Sequence, residues 1–85
     1  MPYSVYILHS ESAERYYIGY SEDPVRRLHF HNSIEKGFTA RYRPWTLVFS
    51  QAFATKPEAR ETERRIKAWK SVAMIKRLIN QDITL

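Results

Sequence analysis

Cysteine is absent from the 85-residue chain, and histidine occurs only three times. The absence removes disulfides, thiolate chemistry and cysteine-ligated zinc, and it fits a reducing compartment. Three histidines without cysteine leave too few ligands for a structural zinc site. No apolar run approaches the ~18 residues that a helical membrane span needs, and the N-terminus lacks the apolar core of a signal peptide. The expected setting is therefore cytoplasmic, with no membrane partner. Internal repeats, low-complexity tracts and interdomain linkers are also missing. Residues 1–85 form one domain, and a chain of this length buries only about 60–65% of its unfolded surface.

Positive charge, by contrast, is in excess. Fourteen Lys and Arg against nine Asp and Glu give a net charge of +5. A basic surface suits a polyanionic partner, and nucleic acid is the commonest.

Two runs near the N-terminus, Ser4-Val5-Tyr6-Ile7-Leu8 and Arg15-Tyr16-Tyr17-Ile18-Gly19-Tyr20, are rich in β-branched and aromatic residues. The polar stretch between them reads as a turn, so the pair reads as a β-hairpin with strands near Tyr3–His9 and Arg15–Tyr20. If the hairpin is symmetric about its linker, Tyr6 lies directly opposite Tyr17 and the two phenols share a face. Gly19 inside a strand marks a bulge or a close approach by a backbone or ligand. Asp23 can then cap a helix that opens at Pro24 and runs to Asn32 or Ser33. Val25 and Leu28 are expected on its packed side, and Arg27 and His31, four apart, share one face.

From Ser33 to Pro44 the chain reads as an irregular loop. It carries Lys36, Arg41 and Arg43, interleaved with Phe38 and Tyr42. A third strand, Trp45 to Ala54, is apolar on both faces. Thr55-Lys56-Pro57-Glu58 matches a capping box opening a helix to about Lys70, with an apolar stripe of Ala59, Thr62, Ile66 and Trp69. A shorter helix is expected over about Ala73–Asn80, with a frayed tail from Gln81. The order β-β-α-β-α-α describes an α+β domain, a small antiparallel sheet with helices against it. The crossover after the second strand leaves the strand order open.

A basic α+β domain with two paired tyrosines prompts a search for phosphate chemistry. Phosphodiester hydrolysis needs a group to take the water's proton, donors or cations on the phosphoryl oxygens and, commonly, a divalent ion. Glu63 borders the buried stripe, where packing can hold a carboxylate at a cleft. Its bland alternative is a surface pair with Lys67, worth only ~0.3–0.5 kcal/mol. Glu58 and Glu61 read as solvated, the latter within reach of Arg65. Arg27 offers a planar donor fork suited to phosphate, and His31 a group that titrates near neutral pH. On spacing alone, a solvated basic helix face is the better explanation of both. His29 and His31 diverge on a helix and are no metal pair.

In combination these residues resemble the GIY-YIG nuclease superfamily, in its small stand-alone bacterial form. Ser4-Val5-Tyr6 occupies the GIY position and Tyr17-Ile18-Gly19 matches YIG. Asp23-Pro24-Val25-Arg26-Arg27-Leu28 with His31-Asn32 resembles the helix motif. Arg43-Pro44-Trp45 and Glu63-Arg64-Arg65-Ile66-Lys67 resemble the remaining small-protein signature. The resemblance implies a three-stranded antiparallel sheet flanked by about three helices, and a metal-dependent endonuclease that hydrolyses DNA phosphodiesters in repair or processing. It implies Tyr6 as general base or water-positioning group, Tyr17 on the nucleophile or a phosphate oxygen, Arg27 on the phosphoryl charge and His31 in proton transfer. It further implies that Glu63 binds one divalent ion, Mg²⁺ or Mn²⁺.

Arg26, Lys36, Arg41 and Arg43 are the expected nucleic-acid contacts. The residues do not separate DNA from RNA. Two departures from the pattern stand out: Ser4 replaces the first glycine, and Asn80 is the nearest candidate for a late asparagine that contacts phosphate in many members. Characterised members join this domain to separate DNA-binding parts, and ~5 net positive charges imply weak, salt-sensitive affinity. A branched or damaged substrate, dimerisation or a targeting partner protein is the expected remedy. The rival readings are a nucleic-acid-binding module that does not cut, using Arg41, Arg43, Phe38 and Tyr42, and a protein-interaction domain anchored by Trp45 or Trp69.

Overall fold

A computed structural model describes residues 2–33 and 38–85, without the side chains of residues 38 and 39. Strand β1 (Tyr3–Ser10) is followed by β2 (Tyr16–Ser21), helix α1 (Pro24–Ser33), a single helical turn α2 (Phe38–Arg41) and β3 (Trp45–Phe53). Helices α3 (Lys56–Ala68) and α4 (Val72–Ile79) complete the chain. The order is the expected one, except that residues 38–41 of the presumed irregular loop are helical. The three strands form one antiparallel sheet in the order β2-β1-β3. No described helix is long and apolar enough to cross a membrane.

The central strand is β1, which explains its continuous apolar run. Val5, Tyr6, Ile7 and Leu8 are all at most 1% exposed, because both sheet faces are covered there. Val5, Ile7 and Ile18 face α3 and α4, packing with Ala59, Ile66, Ile75 and Leu78. Tyr6 and Leu8 face the other way, with Trp45 and the flanking Tyr17, Leu28, Tyr42 and Leu47. Strand β3 serves both faces through a bulge. Ile7 pairs with Phe49 and Leu8 with Leu47, so Val48 is the extra residue that transfers Trp45 and Leu47 to the Tyr6 face. Trp45, at 3% exposure, is core and not the exposed anchor of an interaction domain. Trp69 is partly buried against the opposite cluster.

The helix starts are set by local chemistry. Asp23 Oδ1 accepts from the Arg26 amide at 3.1 Å, and Thr55 Oγ1 accepts from the Glu58 amide at 3.4 Å while donating to Glu58 Oε1 at 2.9 Å. Ala59, Thr62 and Ile66 are buried along α3 as the stripe predicts. On α1 one expectation fails: Val25 is 67% exposed. The inward face is set by Arg27, Leu28 and His31, and Val25 lies about 160° round the helix from Arg27. Beyond Asn80 the chain doubles back through Gln81, at φ 64°, and packs Ile83 and Leu85 against the α3–α4 cluster. The chain end expected to fray therefore contributes apolar contacts.

Asn32 joins α1 to β3. Its Oδ1 accepts from the Trp45 amide at 2.6 Å and its Nδ2 donates to the Trp45 carbonyl at 3.0 Å. The clamp fixes the helix that carries Arg27 and His31 against the sheet. Asn32→Ala is expected to lower stability by about 1–3 kcal/mol, since two backbone groups lose their partner. Urea unfolding measures that loss.

Candidate active site

The hairpin register differs from the symmetric expectation. Tyr6 pairs with Gly19, and Tyr17 with Leu8. The displacement is two residues, so Tyr6 and Tyr17 remain on one face as diagonal neighbours, with ring centroids 6.3 Å apart. The cause lies in the hairpin loop. Buried Ser10 accepts from the amides of Ser12 and Ala13 at 3.3 and 3.1 Å, and its own amide donates to Arg15 O at 3.0 Å. Its hydroxyl donates to Tyr42 O at 2.7 Å, tying the hairpin to the segment before β3. The loop therefore closes on Ser10 and Arg15 and not on the midpoint assumed from composition.

That register explains Gly19. The Tyr6 ring lies flat across it, and a Cβ built there would stand 2.6 Å from Tyr6 Oη and 2.7 Å from Cζ. The close approach marked by the strand glycine is thus made by a tyrosine side chain. At Ser4, where the resemblance pattern has glycine, the half-buried side chain sits between Ser21 and Ala52 on the flanking strands. A half-buried side chain is accommodated there.

Helix α1 delivers the next groups. His31 is 1% exposed, so it is no part of a solvated basic face, whereas His29 is exposed. His31 Nε2 lies 3.3 Å from Tyr6 Oη. The Tyr17 ring packs on the imidazole with centroids 4.5 Å apart, and the Trp45 edge meets Tyr17 at 6.4 Å. Arg27, half-buried one turn earlier, is near enough to favour the charged form of the Tyr6 phenol. Its guanidinium carbon lies 4.6 Å from the centre of the Phe30 ring, a cation–π contact that sequence reasoning missed. The i, i+3 spacing of Arg27 and Phe30 is the signal that was available for it.

Glu63 reaches the same region from α3. Its side chain is 14% exposed and its Oε1 lies 3.2 Å from Lys67 Nζ, so the carboxylate is largely buried and also makes the i, i+4 pair. Glu58 and Glu61 are exposed, and Glu61 pairs with Arg64 at 3.6 Å, not with Arg65. The Tyr6 phenol responds to all these neighbours. Burial pushes it above the ordinary value of 10.0; nearby Arg27 opposes the rise by favouring the charged form, while the charges of Tyr17 and Glu63 add to it. Tyr17, Arg27 and Glu63 thus act on the Tyr6 phenol, and His31 contacts it directly.

The expected nucleic-acid contacts are spread more widely. Arg26 is exposed, lining a groove with Ser21, Asp23, Arg27 and Phe30. Arg41 is exposed. Arg43 is half-buried and its Nε donates to the His31 carbonyl at 2.7 Å, a bond that fixes the helix end. Lys36 lies outside the described residues, as does the side chain of Phe38. Tyr42 carries the Arg15 guanidinium at 5.3 Å from its ring centre. Asn80 caps the end of α4 with an exposed side chain. Among the described residues, no three or more His, Cys, Asp or Glu group together as a metal site.

Comparison with known proteins identifies the family of this chain. A protein described as UPF0213 from Bacillus pumilus is 46% identical over 55 residues, covering 62% of this chain and 55% of that protein. A UPF0213 protein from Streptococcus pneumoniae is 45% identical over 53 residues, covering 61% of this chain and 54% of that one. The chain thus matches about half the length of these relatives. A structure-specific endonuclease subunit SLX1 homologue from Giardia intestinalis is 43% identical over 58 residues, 64% of this chain but 16% of that protein. The solution NMR structure of a UPF0213 protein from Bacillus halodurans superposes with a TM-score of 0.60 at 30% identity, covering 95% of this chain and 85% of that one. Residues 2–76 match the GIY-YIG catalytic domain, the span that carries the tyrosine pair, both α1 residues and Glu63, and the chain belongs to the GIY-YIG nuclease family.

Proposed function

We propose that this protein is a metal-dependent endonuclease that hydrolyses DNA phosphodiester bonds, directed by DNA structure and acting in repair or processing. The observation that carries the reading is the convergence of Tyr6 with His31 Nε2, 3.3 Å away, beside Arg27 and within the field of Glu63. The structure-specific endonuclease subunit among its relatives supports a substrate defined by shape. Targeting would come from a branched substrate or a partner protein.

Burial disfavours a standing Tyr6 phenolate, because it raises the phenol above 10.0. A concerted relay avoids that species. The attacking water gives a proton to Tyr6 Oη as Tyr6 passes its own proton to His31 Nε2, so the phenol stays neutral. This requires the tautomer with the proton on Nδ1, leaving Nε2 as acceptor. The water oxygen bonds to phosphorus, the phosphorus–oxygen ester bond opposite breaks, and its electron pair leaves with the departing oxygen. Arg27 donates to the non-bridging oxygens as charge accumulates there, and Tyr17 orients water or phosphate from the same face.

A single divalent ion suits a site with one semi-buried carboxylate, since Mg²⁺ commonly takes one or two carboxylates and fills its shell with phosphate oxygens and water. Glu63 would hold it, with Mn²⁺ as a substitute. When bound, the ion supplies Lewis-acid polarisation of the phosphoryl oxygen and stabilises the leaving oxygen.

The test is cleavage of labelled duplex, single-stranded, flap and four-way-junction DNAs at low salt with Mg²⁺ or Mn²⁺. Cutting that stops on chelation and falls by at least about 10²-fold in Glu63→Gln is expected, comparable to the loss of one charge-stabilising group elsewhere. Full activity in Glu63→Gln sinks the metal assignment. Intact binding without cleavage of any substrate assigns the non-cutting module instead.

A further inference from the structure

Helix α3 brings more to the site than Glu63. At about 100° per residue, Lys56, Lys67, Arg60 and Arg64 all fall within about 100° of Glu63, on the solvent side and away from buried Ala59 and Ile66. All four are exposed. Lys56 sits 6.0 Å from the Tyr3 ring centre, and Lys67 bonds Glu63 at 3.2 Å. Lys56, Arg60 and Arg64 line one shallow groove with Pro57 and Glu61. Lys56 and Arg60 have no acidic partner within ion-pair distance among the described residues.

We infer that this arc of α3 is a second phosphate-binding track, which takes the backbone of a DNA duplex next to the scissile bond. The inference rests on the nuclease reading and extends it to a surface outside Arg26, Lys36, Arg41 and Arg43. From Lys56 to Lys67 the helix rises about 16 Å, while one DNA strand presents a charge every ~3.4 Å of axis. A rigid row of cations of that length matches a continuous backbone better than an isolated anion. Glu63 lies within this row, between Arg60 and Arg64 along the helix axis, so a strand held there would pass the carboxylate of the site. On α1, exposed Arg26 shares a groove with Arg27 and Phe30. The cut would therefore fall between two cationic helices, each able to hold one arm of a branched substrate. Phosphate contacts of this kind fix register without reading sequence.

The test is the salt dependence of duplex-DNA affinity, measured in chelator so that nothing is cut. Wild type is compared with Arg60→Gln, Arg65→Gln and the triple variant Lys56→Gln/Arg60→Gln/Arg64→Gln. Arg65 is exposed and carries the same charge, but it lies about 140° round the helix from Arg60. The slope of log affinity against log salt is expected to fall by about 0.9 for each lost contact. Arg60→Gln should therefore lower the slope, the triple variant should lower it further, and Arg65→Gln should leave it unchanged. In cleavage assays the triple variant should raise KM at unchanged kcat.

Equal slopes in all four proteins, or an equal fall in Arg65→Gln and Arg60→Gln, overturn the track. If wild type nevertheless cuts, the nuclease reading stands without it. Absence of salt-dependent DNA binding by wild type, together with absence of cleavage, removes both.

Discussion

Tyr6→Phe is expected to reduce kcat by roughly 10²–10⁴-fold, the contribution of a positioned acid–base group. The substitution keeps the ring that fills the space above Gly19 and removes only the oxygen that lies 3.3 Å from His31 Nε2. Fold and KM should change little, with a stability cost of about 1 kcal/mol for the lost hydrogen bond. Near-wild-type turnover in a folded Tyr6→Phe would remove Tyr6 from the chemistry and leave it a packing residue.

The same variant has a pH signature that does not depend on substrate. Burial favours the neutral phenol, so its pKa in the folded state lies above the unfolded value near 10. Its contribution to stability is fully present below about pH 10 and is lost as pH rises through the raised folded value. Wild type should therefore lose melting temperature more steeply than Tyr6→Phe above pH 10, and the two should run parallel below it. Parallel curves throughout would show that the phenol ionises as freely in the fold as outside it.

Gly19→Ala is the second large effect, expected at roughly 10²-fold or more in kcat, the penalty of misplacing a reacting group by about 1 Å. The added methyl would stand 2.6 Å from Tyr6 Oη, where ordinary contact begins near 3.4 Å. Tyr6 is 1% exposed, so its ring can yield only by tilting within a packed cluster that includes Leu8 and Trp45. Tilting draws the hydroxyl away from His31. Strain from overpacking should cost about 1–3 kcal/mol, partly offset by the better strand propensity of alanine. The discriminating measurement is the double variant Gly19→Ala/Tyr6→Phe. If the methyl acts through Tyr6, the double variant should be no slower than Tyr6→Phe alone. Additive losses would mean that Gly19 matters for a different reason, such as substrate contact.

Packing also sorts the competing readings of individual residues. Spacing places Arg27 and His31 on one face but says nothing of where the face points. The Asn32 clamp to Trp45 and the Arg43 bond to the His31 carbonyl turn it inward. Glu63 shows the opposite case: two readings, border carboxylate and partner of Lys67, turn out to describe the same side chain.

What the linear chain determined by itself is everything that repeats at short range. Period-two and period-3.6 apolar patterns, the Asp23 and Thr55 caps and the prolines Pro24 and Pro57 in the first turns of α1 and α3 are local, so their physics is complete within a few residues. They sufficed for the element order and the α3 stripe. Membership of the family was likewise legible in ordered motifs from Ser4 to Lys67. Only the tertiary structure decided the quantities that depend on residues distant in sequence. The hairpin register is displaced by two residues where Ser10, which closes the loop, also bonds Tyr42, thirty-two residues away. The face presented by Trp45 depends on a bulge at Val48 that appears only when β3 meets β1. The strand glycine had a visible anomaly but no visible cause, since the ring that requires it belongs to the neighbouring strand. The site is the product of these long-range choices, because a one-residue change in any register would send Tyr6, Tyr17 or Trp45 to the opposite side of the sheet.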